Sequence, residues 1–470
     1  PGDLGGRFAD SFPGWDEVLM QRSDGLSKGL RVMGVQVGRR IGSVSIGAML
    51  AFSGASAQVA PNAVPIPCNP CATDIFFSQT PGSASSAIPG GFDDILQRQV
   101  DLLIDQRQQR EIFNWESFDI GSEAEVYFKQ RVLDADGNPT LVKDPTKIAI
   151  NMVRAGDNPT EILGLLRADG QVYITNPTGV LFREGSQVDV NTLLVSGINF
   201  GPSLETIQNT DDIFSLSRVA GNTGLFIAAD DGLAGNVDVE AGAVLRVQEN
   251  GRLVVVGKSV SNAGELSASG AGGQVMLVAS GEPGGPADGR VWLFTDAPTG
   301  NDDALTEAVR GLDVALGTSA AGQSGGSVTN SGRISVGPGN VTLAGALVNQ
   351  NGVVRATTAV NANGSIRLLA RGAATAPNGT GEEPAQAQPD FGTVNLGAES
   401  ETVIELTDAA TQTLTDAERF PSPIVFANAR EISVGDGAIV TARSGRIEMS
   451  AERPEIESNN AADPASIGVR

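Results

Sequence analysis

The chain has 470 residues, with 55 acidic and 32 basic side chains and a formal net charge of −23. Such a charge repels nucleic acid phosphates and anionic membranes, which argues against both as partners. There is no histidine, so Ser-His and Cys-His catalysis and the commonest zinc ligand are excluded.

The apolar share is 40%, aromatics are 5% and glycines number 59, a composition that favours a core of small aliphatic side chains in thin stacked strands. Residues 1–57 read as an N-terminal extension and signal peptide. Arg31, Arg39 and Arg40 precede an apolar run from Ile41 to Gly54, and Ala55 and Ala57 form the small-residue cleavage pattern. The run is too short to span a bilayer comfortably, and Arg39-Arg40 hints at twin-arginine export. The mature chain is expected to begin near Gln58 and to be exported and soluble.

Residues 58–99 read as a linker, rich in Pro, Ala and Ser as far as residue 91. Cys68 and Cys71 stand in Cys-Asn-Pro-Cys, which fits an exported disulfide, a redox pair or a local staple. No βαβ pattern of the thioredoxin kind surrounds them, which favours the staple. Between 92 and 110 the apolar positions Ile95, Val100, Leu103 and Ile104 fit a loose helix, or a strand near 100–104.

From about residue 112 the pattern becomes short strands of four to six residues, bounded by Gly, Asn or Asp. In QVYITN, Val172 and Ile174 are expected inward and Tyr173 outward. Asn-Pro-Thr occurs three times, starting at Asn138, Asn158 and Asn176, with intervals of 20 and 18 residues. A second family of turns begins at Val260, Val328 and Leu347, and places Asn330 and Asn349 19 residues apart. A turn returning every coil is the mark of a solenoid, whose strands pair in parallel. The prediction is an all-β parallel β-helix over 100–281 and 326–451, with on the order of 15 coils stacked about 4.8 Å apart.

Residues 282–325 read as an insertion with a short helix. Leu305, Val309, Leu312 and Leu316 share one helical face, and Asp302 or Asp303 could cap it. Residues 373–390 read as a flexible loop, and 452–470 as a polar tail that either leads on to more chain or folds over the open edge. Each Asn-Pro-Thr suits a type I turn: Asn bonds back to the chain, Pro has its φ preset, and in Asn176-Pro177-Thr178-Gly179 the fourth residue is glycine.

The motifs resemble the N-terminal secretion domain of the filamentous-haemagglutinin-like exoproteins, the secreted partners in two-partner secretion, which carries the haemagglutination-activity domain. Trp115-Glu116-Ser117-Phe118-Asp119-Ile120 resembles the family's first element. Asn138-Pro139-Thr140-Leu141 stands where Asn-Pro-Asn-Leu belongs. Pro159-Thr160-Glu161-Ile162-Leu163-Gly164 resembles the third element, and Asn176-Pro177-Thr178-Gly179-Val180 the last. Thr140 and Thr178 replace the family's usual Asn, and the 282–325 insertion departs from its pattern.

The resemblance implies a right-handed parallel β-helix, export through the periplasm to the cell surface of a Gram-negative type of cell, and recognition by an outer-membrane β-barrel transporter with periplasmic domains. It places transporter recognition on Asn138, Pro139, Thr140, Leu141, Asn158, Pro159, Asn176, Pro177, Thr178 and Gly179. It implies no catalytic, cofactor-binding or metal residues. A surface adhesin that binds a host or neighbouring-cell ligand is compatible with this reading. The alternative is a secreted carbohydrate-active enzyme, a lyase or hydrolase, with Asp230-Asp231 and Asp302-Asp303 as the nearest candidate carboxylates.

Overall fold

The computed structural model describes residues 59–68, 85–154, 156, 158–199, 225–227, 233–281, 291–294, 313–316, 325–359, 362–370, 392–407 and 423–451. The signal-peptide stretch with Ala55 and Ala57 lies outside them, as do Asp230-Asp231, Asp302-Asp303, residues 373–390 and residues 452–470.

The first fifteen strands are β1 (Ile66–Pro67), β2 (Ser86–Pro89), β3 (Phe92–Asp93), β4 (Arg98–Gln99), β5 (Leu102–Gln106), β6 (Arg110–Ser117), β7 (Glu125–Leu133), β8 (Pro139–Lys143), β9 (Ile148–Val153), β10 (Thr160–Ile162), β11 (Leu165–Ala168), β12 (Gln171–Thr175), β13 (Val180–Phe182), β14 (Gln187–Val190) and β15 (Thr192–Ser196). From β9 on, the chain visits three sheets in rotation: β9, β12 and β15 in the first, β10 and β13 in the second, β11 and β14 in the third. Each strand pairs in parallel with its counterpart one coil later, as in β9–β12 and β10–β13. The same rotation continues to Arg446–Ala451, and the fold is a parallel β-helix.

The first sheet has eleven strands and one of them, β1, pairs antiparallel, so it holds 11 − 1 = 10 parallel strands among the described residues. That is fewer than the 15 coils expected, because long excursions consume chain between strands. From β9 on, where no excursion intervenes, the period runs from 20 to 23 residues: Val237 pairs with Val260, 260 − 237 = 23, and Val328 with Val348, 348 − 328 = 20. Asn330 therefore faces Gln350 rather than Asn349. A slip of one residue reverses the face. Asn330 lies in the interior, where Asn262, Asn330 and Gln350 form a buried amide ladder with 2.7 Å links, while Asn349 lies outside against Thr329.

Inward residues fill one core from Leu102 to Ala429, mostly Val, Ile, Leu and Ala. Val172 and Ile174 belong to it. Tyr173 points outward, yet it too is buried, in a second apolar layer on the outer face of the first sheet. That layer includes Leu194, Val254, Val256, Met276 and Val278 from the sheet, and Val291, Leu293, Val314 and Leu316 from an added antiparallel sheet formed by 225–227, 291–294 and 313–316. The predicted helical face is corrected here: Asp313–Leu316 is a strand, and Leu305, Val309 and Leu312 lie outside the described residues. Val314 and Leu316 alternate toward the exposed apolar face that they must cover, a two-residue period that only a strand supplies.

Part of the expected linker is also structured. Cys68 is disulfide-bonded, and the strands on either side of 69–84 cover the start of the helix: β1 pairs antiparallel with β6 and β2 with β5. Val64 and Ala87 pack on the core. An open edge of parallel strands would template aggregation, and antiparallel strands laid over it remove that edge. At the far end, Val434, Ile439, Ile447 and Met449 are exposed among the described residues.

Candidate functional site

The corner between the first and second sheets gathers three of the four sequence elements. In the first coil the chain leaves β6 through Ser117 and Phe118, and Ile120 bridges to Ile162 in β10. In the second coil it leaves β9 and turns through Asn158-Pro159, and in the third it leaves β12 and turns through Asn176 to Gly179.

The core beneath the first corner is aromatic. Trp115 and Phe118 meet edge to face at 5.4 Å, and Phe113 and Phe128 complete the cluster. All four are buried. The Trp115 indole nitrogen donates to Asn151 Oδ1 at 2.9 Å, and Asn151 Nδ2 donates onward to the carbonyl of Tyr173 at 3.1 Å. Rings worth several kcal/mol of burial each thus seal the end of the core, at about 3–5 kcal/mol lost on truncation to alanine.

The third corner is a β-turn closed by Gly179 N donating to the Asn176 carbonyl at 2.8 Å. Asn176 is 1% exposed. Its Oδ1 accepts from Thr178 N at 2.9 Å, and its Nδ2 donates to Thr160 Oγ1 at 3.0 Å in the coil before. Thr178 Oγ1 donates to the Gly156 carbonyl at 2.9 Å, so threonine at this position ties two corners together. Gly179 has φ +123°, and an added Cβ would meet the Asn236 carbonyl at 2.8 Å. Only glycine suits it.

The two corners are adjacent but not superposed residue for residue. Thr160 pairs with Val180, an interval of 180 − 160 = 20, so Pro159 lies opposite Gly179 rather than Pro177. Between this corner and the Glu116–Asp119 segment is an open cleft of about 210 Å³ that Asn158, Pro159, Thr160 and Asn176 help to line. Asp119 Oδ1 accepts from Glu161 N at 2.8 Å, and burial pushes the Asp119 carboxyl above its ordinary range. Outside the corner, Arg183 spans three coils, reaching Glu161 at 3.1 Å and Glu240 at 2.6 Å.

Asn138-Pro139-Thr140-Leu141 is elsewhere, which corrects the expectation that all three Asn-Pro-Thr copies mark one interval. β8 pairs antiparallel with the end of β7, so the motif lies in a hairpin that leaves the helix. Asp134 Oδ1 accepts from Asn138 N at 2.8 Å and organises its turn, and Thr140 Oγ1 donates to the Val132 carbonyl at 2.8 Å. Leu141 and Val142 are 67% and 61% exposed. The signal for this was present: Asp136-Gly137 after a strand is a hairpin mark.

Sequence reasoning missed one cluster altogether. The β3–β4 hairpin lies over the outer face of the third sheet. Its Asp93 pairs with Arg167 at 2.8 Å and its Asp94 with Lys129 at 2.7 Å. Arg167 also stacks over the Tyr127 ring at 4.5 Å. Burial alone would raise the Asp93 carboxyl, but hydrogen bonds from Arg167 and from Leu96 and Ile95 N hold it below its ordinary value. Alternating charges at outward strand positions were the available trace.

Among the described residues no group of three His, Cys, Asp or Glu side chains is placed to hold a metal ion.

The family model described as the TPS secretion domain matches residues 78–368. A heme/hemopexin-binding protein of Haemophilus influenzae strain Rd is 36% identical over 95 residues, which cover 20% of this chain and 9% of that one. A second heme/hemopexin-binding protein of Haemophilus influenzae is 31% identical over 117 residues, covering 25% of this chain and 11% of that one. The alignments thus span about a tenth of these relatives. The crystal structure of the HMW1 secretion domain from Haemophilus influenzae aligns with a TM-score of 0.41 and 16% identity, over 78% of this chain and 99% of that one.

Proposed function

This chain belongs to the TPS secretion domain family, the secretion domains of two-partner secretion exoproteins, and on that premise we propose that its first three coils are what an outer-membrane transporter recognises. Exoproteins of this family leave Gram-negative cells through the outer membrane. Here the reading rests on one observation above the others: the Asn138–Leu141 motif stands on an exposed hairpin with Leu141 and Val142 in solvent, while the Asn158 and Asn176 motifs build the helix corner. The two kinds of motif thus divide the work. The hairpin offers a free strand edge and apolar side chains to a partner sheet, a strand-addition mode. The corners supply the folding template, on which each later coil buries its own apolar face.

The chain that follows these coils would be a surface adhesin, with a host or neighbouring-cell ligand. The relatives' names offer heme or hemopexin as ligands. This sequence has no histidine, and both of its tyrosines are buried, so the described coils are poorly supplied with heme ligands.

The test is secretion. The chain is co-expressed with its transporter, and the protein in the medium is compared with that held in the periplasm. Replacing Asn138-Pro139-Thr140-Leu141 by a Gly/Ser turn should trap the chain in the periplasm. Secretion at the normal level would remove the recognition role. The enzyme alternative makes a different prediction, new reducing or unsaturated ends on acidic polysaccharides incubated with purified protein.

A further inference from the structure

The hairpin that bears Asn138–Leu141 holds itself together weakly. β8 pairs only with β7, and that ladder is irregular between Arg131 and Leu133. Its outermost apolar residues face solvent instead of a core. An isolated two-stranded ribbon of this kind is marginal in water.

What fixes it is a carboxylate from the next coil. Asp169 follows β11 and is 1% exposed. It accepts from the Tyr127 hydroxyl at 2.7 Å and from Gln130 N at 3.3 Å. It also pairs with Arg131 Nε at 3.1 Å and Lys143 Nζ at 3.2 Å. All four partners belong to β7 and β8. Burial and the neighbouring Asp169 carboxylate push the Tyr127 hydroxyl far above its ordinary range, which keeps it a donor.

Arg131 carries the effect across the hairpin. Its guanidinium is fully buried, donates to the Leu141 carbonyl at 3.3 Å and to the Tyr127 hydroxyl at 2.5 Å, and is balanced by Asp169 and, at 3.5 Å, by Asp94. A buried cation that loses its main counter-charge is strongly destabilised. Two further contacts touch the hairpin: Arg107 Nη1, just after β5, donates to the Gly137 carbonyl at 3.3 Å, and at the hairpin's own base Asp144 N donates to the Gln130 carbonyl at 2.9 Å.

We propose that Asp169 is a latch that locks the Asn138–Leu141 hairpin in one pose only when the second coil has closed. Until β11 docks on β7, with Arg167 opposite Tyr127, Asp169 is absent from the hairpin's base and Arg131 has Asp94 alone. The hairpin is then free to swing. Once β11 is in place, Asp169 gathers both strands. The biological meaning of the latch rests on the secretion reading above: a transporter would meet a loose hairpin on an incompletely folded chain and a fixed one on the folded coils.

Hydrogen exchange followed by mass spectrometry on the purified full chain tests the latch without any transporter. In Asp169→Asn, amides within 131–143 should exchange at least about tenfold faster, while those of β12, β15 and 252–257 keep wild-type rates. Lys143→Gln should accelerate the same segment by a smaller factor. Its side chain is half exposed, so this variant keeps the test decisive if Asp169→Asn does not fold. Unchanged exchange in the hairpin would overturn the proposal, and so would acceleration spread evenly over the coils. Secretion yields of the motif variants report on recognition separately, so either idea can fail without the other.

Discussion

Asn176 Nδ2 donates to the Thr160 hydroxyl across 3.0 Å, from one coil corner to the corner before it. The same side chain accepts from Thr178 N, so one buried amide closes its own turn and fastens two coils together.

That double role needs both a donor and an acceptor. Asn176→Ala removes both and should cost about 1–3 kcal/mol in urea unfolding, the usual cost of leaving buried partners unsatisfied. Asn176→Asp keeps the acceptor but loses the donor and buries a charge. It should be worse than alanine at neutral pH. Its folded carboxyl would sit above the unfolded value, so the deficit should shrink as pH falls through that raised value. An aspartate variant as stable as wild type at neutral pH would show that the amide donor is not needed, the Thr160 hydroxyl turning to donate to the carboxylate instead.

Glycines set how closely coils approach at the corner between the second and third sheets. A Cβ on Gly352 would lie 2.2 Å from the Gly332 carbonyl oxygen, and one on Gly332 2.2 Å from that of Gly264. These are backbone atoms held by ladders on both sides, so they cannot step aside. Gly352→Ala should destabilise by about 1–3 kcal/mol through overpacking. Thermal unfolding would register it, and a neutral result would mean that the corner has slack.

Glu111 is buried near the helix start, and its carboxylate accepts from the Ser85 hydroxyl. Burial raises its carboxyl above the ordinary value, against the opposing hydrogen bonds and the Lys147 charge. A carboxyl raised on folding costs stability above its folded pKa, and that cost disappears as pH falls below the unfolded one. Glu111→Gln, which keeps an acceptor for Ser85, should therefore be more stable than wild type at pH 7, with the gain vanishing in acid. Denaturation midpoints at neutral and acid pH check this, and a gain that persists in acid would assign it to packing instead.

Much of this architecture can be read from residues in order. A turn returning about every 20 residues, the small apolar strands and the Asn176–Gly179 turn are local features, and local features survive folding. The register is not local: the 19-residue Asn330–Asn349 spacing falls one residue short of the Asn330–Gln350 pairing. The failures share a cause. Leu305, Val309, Leu312 and Leu316 spell a helical face, but Val314 and Leu316 are strand residues that cover Met276 and Val278, partners remote in sequence. Ile66–Pro67 and Ser86–Pro89 lie in a stretch read as linker and yet close the first coil, because what they satisfy is an edge formed later by β6 and β5. Asn138 matches the other two motifs by spelling alone. The nine-residue length of β7 and the Asp136-Gly137 turn send it out of the coil. At the candidate site, the corner motifs were legible, and the Asp169 cluster was not, because its charges meet only through coil stacking.

The sharpest separation of folding from recognition comes from Leu141. Its side chain is 67% exposed and lies outside the core. Leu141→Ser should therefore change unfolding free energy by no more than about 0.5 kcal/mol, as surface substitutions do. A transporter strand laid along β8 would bury that same side chain, and a fully buried leucine contributes about 1.5–3 kcal/mol. Losing that much should weaken binding roughly ten- to a hundredfold and leave the chain folded but in the periplasm. Gly179→Ala should show the reverse order, with stability falling first because the +123° φ and the Asn236 carbonyl admit no side chain. If Leu141→Ser is secreted normally, the hairpin does not carry recognition, and the division of work between the motifs is wrong.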